Sequence, residues 1–321
     1  MSPADNPTVE KIPIAISSCL LGEQVRYDGG HKHDRYLTGT LGQWFTYVPL
    51  CPEVGIGLGT PREPIRLVQI GDAVRVRGVR DAELDVTDDL EAYADAVADQ
   101  IAGTCGYVFK RASPSCGMER VKVYTGKGMP SAAGVGAYAG AVMRRFPRLP
   151  VEEEGRLNDP VLRENFVERV FVYDRLRALL AAPTPKALID FHTRHKLLVM
   201  AHNQEGYRRL GRIVAQAGRG DLEGTVAAYA DLLMETLTRR ATRRGHTNVL
   251  QHLMGYLKKP LDADDKAELV DVIHQYRAGL VPLVVPMTLL RHHFRRHPHP
   301  YVEGQWYLEP HPVELMLRNH V

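Results

Sequence analysis

The feature that most limits the fold of this chain is a change of hydrophobic period close to Pro150. Before it, short apolar runs recur between turn residues. Ile12, Ile14 and Ile16 lead into Ser17-Ser18-Cys19, residues 45–50 end at Cys51, and residues 65–68 and 74–76 form a hairpin across Gly71-Asp72. Residues 106–109 and 121–124 are further short runs, and all of these read as strands. Residues 85–101 carry apolar side chains at helical spacing with Thr87 placed as a cap, and residues 135–145 form a second helical stretch. Such alternation makes an α/β domain with a mostly parallel sheet and flanking helices. After Pro150 the period is helical throughout. Residues 156–180 and 191–217 are separated by Pro183 and Pro185, and three further stretches place Val226 to Leu237, Val249 to Leu257 and Leu269 to Tyr276 on single faces before Gly279. The expectation is an α/β domain over residues 1–150 and an all-α domain over 151–321. Residues 146–159 are either linker or the last strand of the sheet.

A chain of 321 residues exceeds one average core, in keeping with two domains, and 44% hydrophobic with 25% charged residues excludes a disordered polymer. No apolar run approaches the ~18 residues of a membrane span, and residues 1–11 are polar with no apolar core of a signal peptide, so a cytoplasmic protein without membrane contact is expected. Net charge is only +3. Residues 1–150 hold 17 Lys and Arg against 17 Asp and Glu, and the rest holds 24 against 21 with 12 of the 14 histidines. Polyanion binding therefore has to come from local clusters in the second half. Arg208-Arg209, Arg243-Arg244 and Lys258-Lys259 are such clusters, interleaved with Tyr207 and Tyr256, and suit RNA phosphates, although like charges on a helix commonly form only a solvated face. His192 and His195, and the crowd from His292 to His299, lack the spacing of zinc hydrolases and read as solvated or locally satisfied.

Three of the four cysteines share a context. Cys19, Cys51 and Cys116 each follow a strand and stand in a turn sequence, whereas Cys105 sits beside an apolar stretch and reads as core. Loops after the carboxyl ends of strands form the ligand crevice of an open α/β sheet, so three thiols distant in sequence can meet in one site. Thiolates suit zinc or an iron–sulfur cluster, and three ligands on a 4Fe–4S cluster leave one iron open for chemistry. The plain alternative is three buried cysteines of an ordinary core.

The segments around these cysteines carry a resemblance. Cys19-Leu20-Leu21-Gly22 with Arg26-Tyr27-Asp28-Gly29, Cys51-Pro52-Glu53-Val54-Gly55 with Pro61-Arg62-Glu63-Pro64, and Lys110-Arg111-Ala112-Ser113-Pro114-Ser115-Cys116-Gly117 are similar, in order, to the motifs of thiouracil desulfidases. The resemblance covers roughly the first 150 residues. The second half resembles an uncharacterised helical domain fused to them, through residues 191–198, 248–252 and 282–286, and such fusions resemble desulfidases acting on 4-thiouridine in transfer RNA. The resemblance implies a 4Fe–4S cluster on Cys19, Cys51 and Cys116 with one open iron. Glu53, two residues after Cys51, is placed to act as acid and base, Ser113 precedes Cys116 by three residues as the corresponding family serine does and is the catalytic serine, and Ser115, Arg26 and Arg62 are further candidates for substrate contacts. The expected reaction is non-redox desulfuration of 4-thiouridine in transfer RNA with release of hydrosulfide. The alternatives are desulfuration of free thiouracil or another small thioamide, and a non-catalytic RNA-binding or cluster-carrying protein.

Overall fold

The computed structural model describes residues 10–125 and 129–320, so most of the polar opening stretch lies outside the described residues. The chain divides into two units, residues 1–158 and 159–321. In the first, the order is β1 (Ile12–Ser17), β2 (Phe45–Leu50), α1 (Pro52–Gly55), β3 (Ile65–Ile70), β4 (Ala73–Gly78), α2 (Thr87–Ala96), α3 (Ala98–Ala102), β5 (Tyr107–Phe109), β6 (Val121–Tyr124), β7 (Pro130–Gly134), α4 (Ala137–Arg145) and β8 (Val151–Glu153). The strands form two sheets of four. One is wholly parallel in the order β2-β1-β5-β8, and the other, β4-β3-β6-β7, is mixed.

The parallel sheet follows from the sequence of β1, whose Ile14, Ala15 and Ile16 are fully buried, as a strand covered on both faces requires. Its register pairs Ser17 with Leu50, so the residues after them, Ser18-Cys19 and Cys51, leave neighbouring strands side by side. The segment left open between linker and strand contains β8, which pairs with β5 beyond Pro150. The expected hairpin is β3–β4, where Ile70 pairs with Ala73 and Gly71 takes the left-handed conformation (φ +57°) that the tight turn needs. Two details differ from expectation. The helix read over 85–101 is broken at Val97 into α2 and α3, and Thr87 does not cap it. Its hydroxyl instead accepts from Val76 N–H and donates to Asp85, tying the helix start to β4.

The second unit comprises α5 (Pro160–Ala181), α6 (Pro185–His202), α7 (Gln204–Val214), α8 (Leu222–Thr238), α9 (Arg243–Tyr256), α10 (Ala263–Ala278), α11 (Val284–Arg296) and the single turn α12 (Pro300–Glu303). Helices α5 to α10 start at Asp159, Thr184, Asn203, Asp221, Thr242 and Asp262, and each of these side chains accepts a first-turn backbone N–H. The stretch read as one helix over 191–217 is thus split at Asn203. α9 crosses α6 in backbone contact, since a Cβ on Gly245 would lie 2.0 Å from the carbonyl oxygen of Ala201. No helix among the described residues is long and apolar enough to cross a membrane.

A charged cluster is buried inside this unit. Arg318 donates to Glu164 and Glu168 (3.0 Å each) and to the Tyr307 carbonyl (2.7 Å), while His202 lies between Glu168 and the Arg239 carbonyl (2.5 Å each). Burial pushes Glu168 up, but the hydrogen bond and charge of His202, together with Arg318, outweigh it and hold the carboxyl at about 2. Arg318→Ala removes the guanidinium from the buried Glu168 and the half-buried Glu164 and is expected to cost about 3–5 kcal/mol, read by chemical denaturation of the full chain. A loss below about 1 kcal/mol would show that the C-terminal segment is not held this way.

Candidate active site

Each thiol is delivered by a different element. Cys19 stands in a 3₁₀ turn over Ser18–Leu21 directly after β1, closed by Gly22 in the left-handed conformation. Cys51 is the residue before α1, where Pro52 starts the turn of helix and Glu53 follows in its first turn. Gly55 ends that turn against the Tyr93 ring, which a Cβ would meet at 2.2 Å. Cys116 stands seven residues beyond β5 in a loop whose shape is set twice over. Ser113 Oγ accepts from the N–H groups of Ser115 (3.2 Å) and Cys116 (3.1 Å), and the start of α4 donates to the loop, Ala137 N–H to the Pro114 carbonyl and Ala139 N–H to that of Ser115. A Cβ on Gly136 would fall 2.5 Å from the Ser115 oxygen, so only glycine permits this approach.

The three thiols line one cavity of about 320 Å³ together with Glu53, Arg26, Arg62, Lys110 and Ser113. Cys105 is fully buried elsewhere, its N–H on the Pro13 carbonyl, and none of the four is in a disulfide. Burial lifts Cys19 to about 11 against the pull of Lys110, lifts Cys51, and lifts Cys116 well above the usual thiol range with Glu53 and Cys51 adding to it. Burial is the main cause in all three, and it favours the neutral thiols unless a cation compensates their charge. Among the described residues no three His, Cys, Asp or Glu side chains stand close enough to hold one ion. A single tetrahedral metal needs sulfurs about 2.3 Å from its centre. By their chemistry, three thiolates suit either zinc or an iron–sulfur cluster.

Glu53 is the most constrained side chain in the cavity. Arg62 Nε (2.9 Å) and Nη2 (2.6 Å) both donate to its Oε2, and Ser115 Oγ–H donates to its Oε1 (2.7 Å). Arg62 is itself fixed by the carbonyls of Val25 and Gly59, so the glycine-rich loop 55–59 wraps a guanidinium. The two serines have separate surroundings: Ser113 lines the cavity and braces its loop, whereas Ser115 is fully buried behind Glu53. Arg26 lies 3.5 Å from Asp28 and over the Tyr27 ring. Lys110, ion-paired with Glu154, was not singled out from the sequence, though its place directly after β5 was the available signal.

Comparison with known proteins fits this geometry. The family described as 2-thiouracil desulfurase matches residues 14–154. A solved structure of a [4Fe-4S]-dependent thiouracil desulfidase, TudS, is 33% identical, with 46% of this chain and 95% of that one covered and a TM-score of 0.36. The chain belongs to the 2-thiouracil desulfurase family. It is an enzyme that removes sulfur. Residues 196–312 match a second family, described as a protein of unknown function, DUF1722. Uncharacterized protein YbgA of Escherichia coli strain K12 is 34% identical over 153 residues, 47% of this chain and 90% of the relative. Uncharacterized protein YbbK of Bacillus subtilis strain 168 is 30% identical over 110 residues, 32% of this chain and 72% of the relative.

Outside the desulfurase unit, Arg208, Arg209, Arg243, Arg244, Lys258 and Lys259 are all exposed, on α7, on α9 and just after it. Among the described residues none of the six is held in an ion pair, and Arg243 rests over the Tyr276 ring. The histidines of this unit fall into two groups. His192 and His195 are buried, with Nδ1 on the Tyr229 hydroxyl and the Phe191 carbonyl, and burial lowers them to about 4 and about 3. His292 is exposed and His293 buried on α11.

Proposed function

We propose that the chain hydrolyses the thiocarbonyl of a thiolated pyrimidine to a carbonyl, releasing hydrosulfide without net oxidation or reduction, with Cys19, Cys51 and Cys116 holding a 4Fe–4S cluster. The observation that carries this reading is the meeting of three thiols from separate strands with one carboxylate whose hydrogen bonds are already arranged. When bound, such a cluster supplies an open iron as Lewis acid for the thiocarbonyl sulfur. The chain's own residues handle the proton. Glu53 Oε2 has both lone-pair directions taken by Arg62, whereas Oε1, among the described residues, accepts only from Ser115 and keeps one direction for the proton of an attacking water. Arg62 and Ser115 thus position the base. Ser113, whose oxygen accepts two backbone N–H groups, retains its own O–H for the ring carbonyl of the substrate. Arg26, at the cavity wall, supplies a second polar contact.

The base is presented as 4-thiouridine in transfer RNA. Support comes from the six exposed cations of the helical unit, since a free uncharged base has no use for them. Anaerobic incubation of the iron-loaded chain with thiolated transfer RNA and with free thiouracil, followed by loss of thiocarbonyl absorbance, tests both levels. Turnover of transfer RNA above the free base is expected; turnover of the free base alone removes the RNA reading, and turnover of neither removes the desulfidase reading. Neutralising Arg208, Arg209, Arg243 and Arg244 together is expected to weaken transfer RNA binding and flatten its salt dependence, with free-base turnover unchanged. Unchanged affinity would put RNA elsewhere.

A further inference from the structure

The helical unit carries a group of aromatic rings at its surface that the desulfuration chemistry does not use. Tyr256 is the last residue of α9, and its ring meets those of Tyr301 (centroids 5.3 Å apart, planes at 35°) and His299 (4.6 Å, 54°) at the opening of α12. Tyr301 packs against the core of the unit, whereas Tyr256 is 40% exposed. Lys196 of α6 places its Nζ over the Tyr301 ring, 4.6 Å from the centroid, and Lys258 and Lys259 are exposed just beyond Tyr256. Among the described residues none of these three lysines is in an ion pair. Three segments distant in sequence thus bring rings and free cations to one place.

Anchoring α12 needs only Tyr301, which faces the core; Tyr256 adds a ring that faces water, and exposed apolar surface of this kind marks a contact site. Lys196 already covers the Tyr301 ring, so the ring left open to a ligand is that of Tyr256. A nucleobase stacks on such a ring whatever its identity, because every base has a π-face, and the neighbouring ammonium groups meet the phosphates on either side of it. The lysines decide between ligand classes. A neutral apolar partner gains nothing from unpaired cations, whereas a polyanion that also carries flat rings uses both. In a duplex the base faces are covered by one another, so only an unpaired nucleotide can use the platform.

We infer that Tyr256, supported by Tyr301 and His299, is a stacking platform for an unpaired base of RNA, with Lys258 and Lys259 on the adjoining phosphates. The inference deepens the RNA reading and rests on it for the choice of polymer. It adds a preference for unpaired over duplex segments to a charged grip that is blind to strandedness.

The test uses probes without sulfur, so that binding is read apart from turnover. A labelled oligouridine of about 12 nucleotides and an RNA duplex of the same length are titrated into the full chain by fluorescence anisotropy across a salt series. The single strand is expected to bind ~10-fold tighter than the duplex. Tyr256→Ala is expected to remove about 10-fold of single-strand affinity at every salt concentration without changing the salt slope, since stacking releases no counterions, and Tyr256→Phe is expected to restore it. Lys258→Gln together with Lys259→Gln has the opposite signature, weakening both probes and flattening the slope. An unchanged thermal midpoint checks that the Tyr256 variants are folded. Equal affinity for strand and duplex, full single-strand affinity in Tyr256→Ala, or a loss that Tyr256→Phe does not restore would overturn the inference. So would a concentration-dependent dimer that Tyr256→Ala abolishes, which would give the rings to a second copy of the chain.

A second arm separates this inference from the reading beneath it. Turnover of thiolated transfer RNA with no strand preference and no effect of Tyr256→Ala leaves the desulfidase standing and removes the platform. Tyr256-dependent binding of the single strand with no turnover of any thiolated RNA does the reverse.

Discussion

Replacing Cys19, Cys51 or Cys116 by alanine is expected to remove iron and turnover together, whereas Cys105→Ala keeps both. Each of the three thiols comes from a different segment, the turn after β1, the start of α1 and the loop braced by Ser113 and α4, so no neighbouring cysteine can take over a lost ligand. Cys105 is buried in the approach to β5, away from the cavity, and its loss costs only the small cavity left in the core, about 1 kcal/mol. The measurement is iron per chain after anaerobic reconstitution, about four in the unaltered protein, alongside thiocarbonyl loss. If Cys105→Ala loses iron while one of the other three retains it, the ligand assignment is wrong.

The second large effect is expected from Glu53→Gln. The amide keeps a carbonyl oxygen to accept from Arg62 and nearly the same shape, but it cannot take and return a proton. Turnover should fall on the order of 10² to 10⁴-fold while iron content stays at its unaltered level. Keeping iron content as a separate readout matters because Cys51 is two residues away, and a displaced cluster would mimic a lost base. Near-normal turnover with full iron would eliminate Glu53 as the proton carrier.

Much of this protein is local and could be read from local pattern. The period-2 runs of β1 and β2, the Gly71-Asp72 turn, the helical second half and the Asp, Asn and Thr caps of that half are fixed by residues within a few positions of one another, and the same patterns appear as elements in the structure. The post-strand context of Cys19, Cys51 and Cys116 belongs to this class, which is why the three could be singled out together. Thr87 shows the limit of such reading. Its sequence position suits a cap, but β4 offered its hydroxyl a closer backbone partner.

What lies beyond sequence is whatever depends on register and crossover. The split of the strands into two sheets, the pairing of β8 with β5, and the hydrogen bond from Ser115 to Glu53 across 62 residues arise only once β1 has paired with both neighbours and α4 has docked on the 113–117 loop. The two serines that flank Pro114 look equivalent along the chain. Tertiary packing alone gives one of them the carboxylate and the other the cavity wall. The same holds for Tyr256 and Tyr301, single aromatic residues along the chain. Their rings meet because α12 returns to the end of α9, a contact between segments some forty-five residues apart that no local period encodes.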